Sequence, residues 1–265
     1  MHILGFSGKK QSGKNTCGNY VFAWEMMGLG LIEREFKILE DGKIWVSDVL
    51  GDSNHEGIFD PTRNTESMYY FLEKYVHPYV KMYSFADLLK QAVCMEILGL
   101  TYEQMYTEEG KEEYTQFKFE DFPLDLKRKG NMRCRDLLQV IGTEFFRGFY
   151  DDVWAKCTIR RILNEGTELA IVTDVRFPNE VQVIQDAGGK VLRLTRNQSS
   201  LDKHKSETAL NPDKFDWEKF DAVLDNEHMT IGDQNFKIKQ LLTDWQYPGF
   251  VATQENVYKL NPDKK

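Results

Sequence analysis

The stretch "LGFSGKKQSGKNTCG", residues 4–18, decides how the rest of the chain is read. It holds the spacing G-x-x-x-x-G-K from Gly8 to Lys14. Glycines at both ends let the backbone bend closely around an anion without a Cβ in the way. The N–H groups between them then point inward, and a helix beginning at the lysine adds the partial positive charge of its N-terminus. Lys14 can reach the phosphates as a mobile point charge, and Lys9 and Lys10 make the loop more basic. The residues expected on the phosphates are Gly8, Lys10, Ser12, Gly13, Lys14, Asn15 and Thr16. The alternative is a glycine turn that merely precedes a helix.

The context favours the phosphate loop. His2 to Phe6 is a short apolar run that reads as a strand. Cys17, Tyr20, Val21, Trp24 and Met27 recur at helical spacing just after the loop. Further along, Lys81 to Phe85, Glu168 to Thr173, "KVLRLTR" and "AVLDN" read as strands, with helical patterns between and after them. Strand–helix alternation implies a parallel sheet with right-handed crossovers. The expected fold class is therefore α/β, a phosphate-loop NTPase fold with a five-stranded, mainly parallel sheet and helices on both faces. One domain spanning 1–265 is expected, carrying a β-hairpin insertion near 31–65, signalled by Asp41-Gly42, and a helical or irregular insertion near 100–130. The second insertion is polar, and most of its charges read as a solvated face.

Bulk properties narrow the function classes. The 265 residues are 41% apolar and 29% charged, with a formal charge of −8, which argues against direct nucleic acid binding. Cys17, Cys94, Cys134 and Cys157 are widely spaced, without a C-x-x-C, so a thiolate metal site or disulfide framework is not expected and a reducing cytoplasm fits best. No apolar run is long enough to span a bilayer, and no signal peptide is read at the start.

Two later stretches carry chemistry. "VTDVRFPNE" puts Asp174 at the C-terminal end of a buried strand, the edge where ligands of open α/β sheets bind. An acid there can hold Mg²⁺ or contact substrate, or it can cap the helix that Pro178 starts. Arg176 and Glu180 follow it. In "RCRDLLQVIGTEFFRGFYDDVWAKC", Arg133, Arg135, Gln139, Thr143 and Arg147 form a polar stripe at helical spacing. Such a stripe is commonly a solvated face. Gly142 within the helix points instead to a close approach there. Trp154 is readable as a base-stacking ring or as a core residue. A basic run includes Arg193, Arg196, Lys203, His204 and Lys205. Arg196 is expected to close on the transferred phosphoryl group, whereas His204 reads as a surface residue and not as a base.

In the first loop the Ser or Thr expected directly after the lysine is replaced by Asn15, and Thr16 follows one place late. G-K-x-T is similar to the adenylate-kinase group of nucleoside monophosphate kinases. Taken together, "GKKQSGKNT", "YSFADLLKQA", "RDLLQVIGTEFFR", "DDVWAKC", "IVTDVRFPNEV" and "HKSE" resemble the bacteriophage deoxynucleoside monophosphate kinases in order and spacing, over most of the chain. The resemblance implies ATP as phosphoryl donor, Mg²⁺ as cofactor, a deoxynucleoside monophosphate as acceptor and a possible homodimer in the host cytoplasm. It puts Lys14 and Thr16 on the donor phosphates. It puts Arg135, Gln139, Gly142, Thr143 and Trp154 on the acceptor, with Asp174, Arg176 and Glu180 completing that site. Phe85, Asp87 and Lys90 are expected to line it, and Arg133 to assist Arg135. The catalytic set is then Lys14, Arg135, Asp174 and Arg196, and the metal ligands are Thr16 and Asp174. Two positions depart from the family pattern: Asn15 stands where Asp is frequent, and Asp136 stands where a basic residue is expected. A kinase of another small acceptor, such as dephospho-coenzyme A, and a non-catalytic ATP-binding regulator are the competing readings. The bases accepted, and selectivity against ribonucleotides, are not legible.

Overall fold

The apolar run at the start of the chain is β1 (His2–Ser7), the central strand of the main sheet. The computed structural model describes residues 1–32, 34–47, 56–61, 65–197 and 205–250. After β1 come α1 (Lys14–Gly28), β2 (Phe36–Ile38), β3 (Ile44–Val46), β4 (Gly57–Phe59), α2 (Glu66–Phe71) and β5 (Val80–Tyr83). Then follow α3 (Tyr102–Tyr106), α4 (Glu108–Glu112), β6 (Tyr114–Lys118), β7 (Asn131–Arg133), α5 (Cys134–Gln139) and α6 (Val153–Glu165). The chain continues through β8 (Leu169–Val175), α7 (Pro178–Asp186), β9 (Lys190–Leu194), α8 (Lys205–Thr208), β10 (Ala222–Leu224) and α9 (Ile231–Asp244). Leu89–Ile97 and Val140–Arg147 are helical but wound wider than an α-helix; in the first, the Leu98 N–H reaches the Val93 carbonyl, five residues back.

The chain groups into two compact units, Met1–Tyr83 with Ile162–Lys265, and Ser84–Arg161. The sequence reading expected one domain with insertions. The second unit takes in the 100–130 excursion together with the helical segments on either side of it.

In the first unit the sheet order is β10-β9-β1-β8-β5, with every pairing parallel, as the α/β reading requires. Because side chains alternate along a strand, β1 sends Leu4 and Phe6 to one face and Ile3 and Gly5 to the other. Leu4 and Phe6 join the core formed with Cys17, Val21 and Phe22 of α1. Gly5 faces α7: a Cβ there would come within 2.8 Å of Ile184 Cδ1. The two faces of β1 are thus covered by helices that follow different strands.

The expected hairpin is present and is larger than expected. β2, β3 and β4 form a three-stranded antiparallel sheet in which Phe36 pairs with Val46 and Ile44 with Phe59. Ile44, Val46 and Phe59 are buried in the same core as α1, and the rings of Phe22 and Phe59 stack at 6.4 Å. This insertion is therefore part of the core. β4 escapes sequence reading because only three residues pair.

The hairpin turn lies over the first turn of α1. Asn19 Nδ2 donates to the Gly42 carbonyl at 2.9 Å, and Gly42 sits at φ +83°, where a Cβ would come within 2.6 Å of Thr16 Oγ1.

In the second unit the 100–130 excursion carries helices and a strand as far as residue 121, and residues 122–130 are irregular. α3 and α4 are both capped by threonine hydroxyls, Thr101 and Thr107, and β6 pairs antiparallel with β7. Met105, Thr115, Phe119 and Met132 are buried. The charges around these few apolar positions hid them from a periodicity reading.

The geometry of Gly42 predicts a stability difference. Gly42→Ala should destabilise the protein by more than about 1 kcal/mol, the scale for forcing a side chain into left-handed backbone. Gly30 has a similar φ of +73° but nothing within 4 Å of its missing Cβ. Gly30→Ala should therefore cost only the backbone part. Urea unfolding of the two variants side by side checks this, and equal losses would mean that the turn does not press on Thr16.

Candidate functional site

Residues 8–13 form a loop with two left-handed positions, Gln11 at φ 62° and Gly13 at φ 95°. Gly13 begins α1, and no side chain caps that helix; its first turn carries no acid. By contrast, α2, α3, α4 and α9 are each capped by a threonine hydroxyl. An uncapped helix N-terminus behind a glycine loop leaves N–H donors for an anion.

Lys14 is buried and folds back over the loop. Its Nζ donates to the carbonyls of Gly8 at 2.9 Å and Lys9 at 2.6 Å, and reaches Ser12 Oγ at 3.5 Å. Burial pulls its pKa down to about 7, helped by the positive charges of Arg176 and Arg193 and opposed by Asp174. A bound anion would offset the cost of keeping this ammonium charged. Ser12 is itself buried beneath the lysine, whereas Asn15 is exposed and Thr16 half-buried.

A polar network fixes the loop from below. Asn226, fully buried just past β10, donates from Nδ2 to the Ser12 carbonyl at 2.9 Å and to Gln234 Oε1 at 2.7 Å. Its own Oδ1 accepts from the Arg196 N–H at 2.9 Å. The Arg196 guanidinium, expected to close on the transferred group, here donates to the Asn226 carbonyl through Nε and Nη2 and to the Met229 carbonyl through Nη2. In this arrangement it ties the β10–α9 loop to the strand edge.

On the other side, Glu207 of α8 is buried and bridges the loop to Arg176. Its Oε2 accepts from the Lys10 N–H at 2.7 Å, and its Oε1 accepts from Arg176 Nη1. Glu180 accepts from the backbone N–H groups of Arg176 (2.7 Å) and Phe177 (3.0 Å), closing a capping box at the start of α7 with Pro178 in its first turn. Glu180 thus takes the capping role that was the alternative for Asp174. Asp174 lies within the last turn of strand, one residue before the end of β8, half-buried.

Arg193 is a buried cation whose position on β9 was noted in the sequence without a role. Its Nη1 donates to Ser7 Oγ at 3.0 Å, and its guanidinium lies over the rings of Trp217 at 5.1 Å and Phe220 at 5.8 Å. Burial lowers its pKa to about 10, with Arg176 adding to the effect. Glu207, Asn226 and Gln234 were missed outright. "HKSE" and "AVLDN" flagged the first two segments, but nothing in a single sequence says that those polar side chains turn inward. His204 and Lys203 lie outside the described residues.

The remaining expected site residues belong to the second unit. Arg133 and Arg135, at the start of α5, share one carboxylate: Arg133 Nη1 donates to Glu112 Oε2 at 2.8 Å and Arg135 Nε to Glu112 Oε1 at 2.7 Å. Asp136 closes the N-terminus of α5 by accepting from the Arg133 N–H at 3.3 Å, and also pairs with Arg128 at 3.0 Å. Gln139 and Thr143 are half-buried. The close approach at Gly142 exists, and Leu89 makes it: a Cβ at Gly142 would meet Leu89 Cδ2 at 2.6 Å. Trp154 is buried, packs on Phe146 at 5.0 Å and donates Nε1–H to the Gly142 carbonyl at 2.9 Å, which is a core role. Phe85 is buried, Asp87 accepts from the Ser84 N–H at 3.0 Å, and the Lys90 ammonium lies over the Tyr106 ring at 4.6 Å.

Comparison with known proteins bears on the whole arrangement. Residues 66–231 match the family described as deoxynucleotide monophosphate kinase, a span that begins beyond the glycine loop and includes α5, β8 and α7. A protein of Acanthamoeba polyphaga mimivirus named "Putative deoxynucleotide monophosphate kinase" is 31% identical over 157 residues, covering 54% of this chain and 73% of that one. The chain belongs to the deoxynucleotide monophosphate kinase family, and is a kinase with a P-loop-like α/β fold.

Proposed function

We propose that this kinase moves the γ-phosphoryl group of ATP to a deoxynucleoside 5′-monophosphate, giving ADP and the deoxynucleoside diphosphate, and so supplies precursors for viral DNA synthesis. The observation that carries the donor half is Lys14, a buried ammonium bonded among the described residues to loop carbonyls and one hydroxyl, at the mouth of an uncapped helix. ATP phosphates are the anion that such a cradle suits. An oxygen of the acceptor phosphate forms the new bond to the γ-phosphorus as the bond to the β–γ bridging oxygen breaks, and ADP leaves. The attacking oxygen is already anionic, so no base is required. Catalysis is then positioning and charge neutralisation.

In this reading Lys14 neutralises the donor phosphates and Arg176 stands by as a further cation, oriented by Glu207. Arg133 and Arg135 hold the acceptor phosphate. Mg²⁺ suits the hard oxygens of Thr16 and Asp174. Among the described residues no group of three or more His, Cys, Asp and Glu comes together, so a divalent ion would be held by one or two protein oxygens and by the phosphates. When bound, Mg²⁺ offsets charge on the β- and γ-oxygens. A cytoplasmic site of action suits this chemistry, and no described helix is long and apolar enough to cross a membrane.

Incubation with Mg-ATP and each deoxynucleoside monophosphate in turn should yield ADP and the matching diphosphate; no diphosphate from any of them would refute the assignment. Lys14→Ala should lower kcat by at least about a hundredfold, the scale for removing one preorganised charge contact. Arg135→Ala should raise the acceptor KM by about tenfold or more and leave the ATP KM alone.

The depressed pKa of Lys14 gives a pH signature. With a pKa of about 7 in the empty enzyme, the lysine is largely neutral at pH 8. Phosphates favour its charged form, so binding raises the pKa and takes up a proton. ATP affinity should therefore fall as pH rises above 7, by at most about tenfold per pH unit. Calorimetric titration at pH 8 in two buffers of different ionisation enthalpy measures that uptake directly.

A further inference from the structure

The segment between α3 and α5, which no motif explained, builds a cleft. It measures about 390 Å³, and its lining includes Tyr114, Phe119, Arg128, Asn131, Arg133 and Arg135. That is within the size range of small-molecule sites, about 300–1,000 Å³. Three guanidinium groups line it, and two of them lie over aromatic rings: Arg128 over Phe119 at 5.0 Å and Arg133 over Tyr114 at 5.5 Å. Flat cations resting on rings are held in direction without losing all of their hydrogen-bond donors.

The acids in the cleft differ in kind. Asp136 is bound into the fold, because it accepts from the Arg133 N–H and pairs with Arg128 at once. Glu112 is solvent-exposed at the end of a five-residue helix, and its two oxygens span Arg133 and Arg135. Arg135 Nη2 reaches Glu108 as well, at 3.3 Å. Two oxygens of one anion bridging two guanidiniums is also how a phosphate is gripped. An exposed carboxylate can leave such a grip at small cost.

We propose that this cleft is the seat of the acceptor's 5′-phosphate, that Arg128 is its third cation, and that Glu112 fills the seat until the monophosphate displaces it. The proposal rests on the reading of Arg133 and Arg135 as acceptor contacts. Glu112 is then an internal competitor: it lowers the apparent affinity of every anion by the fraction of time that it holds the arginines. Weakly bound anions such as free phosphate are thereby left out at concentrations where the nucleotide, with its base and sugar contacts, still enters.

Initial-rate kinetics on the full chain test this, with free inorganic phosphate as a probe competing against the acceptor. Glu112→Gln should lower the acceptor KM and the inhibition constant of phosphate together, by about three- to tenfold, with the ATP KM unmoved. Arg128→Gln should raise the acceptor KM about tenfold, while its unfolding midpoint reports any loss of the Asp136 pair. If Glu112→Gln leaves both constants unchanged or raises them while Arg135→Ala still weakens the acceptor, the competitor role is refuted and the acceptor site stands. If Arg128→Gln lowers the unfolding midpoint without moving the acceptor KM, Arg128 is only a partner of Asp136, and the three-cation seat is refuted. If Arg133→Ala and Arg135→Ala both leave acceptor kinetics untouched, the underlying assignment of the acceptor site falls as well.

Discussion

A buried lysine whose bonds among the described residues go to carbonyls and a hydroxyl, not to a carboxylate, is the constraint around which the first unit is organised. Lys14 gives its hydrogen bonds to the carbonyls of Gly8 and Lys9, and positive charges at Arg176 and Arg193 act against it. Left alone, such a group would favour a loop that opens and lets it reach water. Against this, the loop is tied at several points. Asn226 holds Ser12 from below, Glu207 holds Lys10 from the side, and the β2–β3 turn sits on Thr16 and Asn19. The hairpin insertion therefore matters to the glycine loop for a mechanical reason: it links the first turn of α1 to the hydrophobic core through Ile44, Val46 and Phe59.

The second unit meets its charges differently. Arg128, Arg133 and Arg135 are at least partly exposed and each has an acid within reach, so none is held as Lys14 is. Exposed pairs of this kind add little to stability. Their arrangement is better explained by exchange, with carboxylates standing where another anion can replace them. Asp136 illustrates the point. It occupies a position where a basic residue was expected beside Arg135, and the cation at that place comes instead from Arg128, eight residues earlier and held by Asp136 itself. The departure from the family pattern changes which residue supplies the charge without emptying the cleft of it.

Where a signal was local and repeated, the fold could be read ahead of the structure. All five strands of the parallel sheet, the glycine loop between β1 and α1, and the hairpin at Asp41-Gly42 rest on alternation, helical spacing or turn chemistry within a dozen residues. What stayed hidden depended on contacts distant along the chain. β4 and β6–β7 pair through very few residues, and the charges around Thr115 and Phe119 masked them. Glu207 and Asn226 look like ordinary surface residues until the sheet brings them under the loop, 197 and 214 residues away from their partners. Gly142 shows a half-legible case: its cost within a helix announced a close neighbour, and only the structure identifies Leu89 as that neighbour.

The same distinction separates the site residues by kind. Lys14 carries a sharp expectation in the sequence because a phosphate cradle needs a fixed spacing from Gly8 and Gly13. Trp154, Arg196 and Glu180 do not, since a ring, a guanidinium or a carboxylate serves a core, a loop or a helix cap as readily as a ligand. Each of the three is used that way here: the indole N–H goes to Gly142, the guanidinium to the carbonyls of Asn226 and Met229, and the carboxylate to the first N–H groups around α7. Each of these contacts fixes a segment that also carries a residue of the proposed site. Glu180 holds the backbone at Arg176, Arg196 holds Asn226 beneath Ser12, and Trp154 holds Gly142 in the wide helical segment that follows α5. A residue can thus matter to a site by holding its neighbour in place, a dependence visible only once the hydrogen bonds are known.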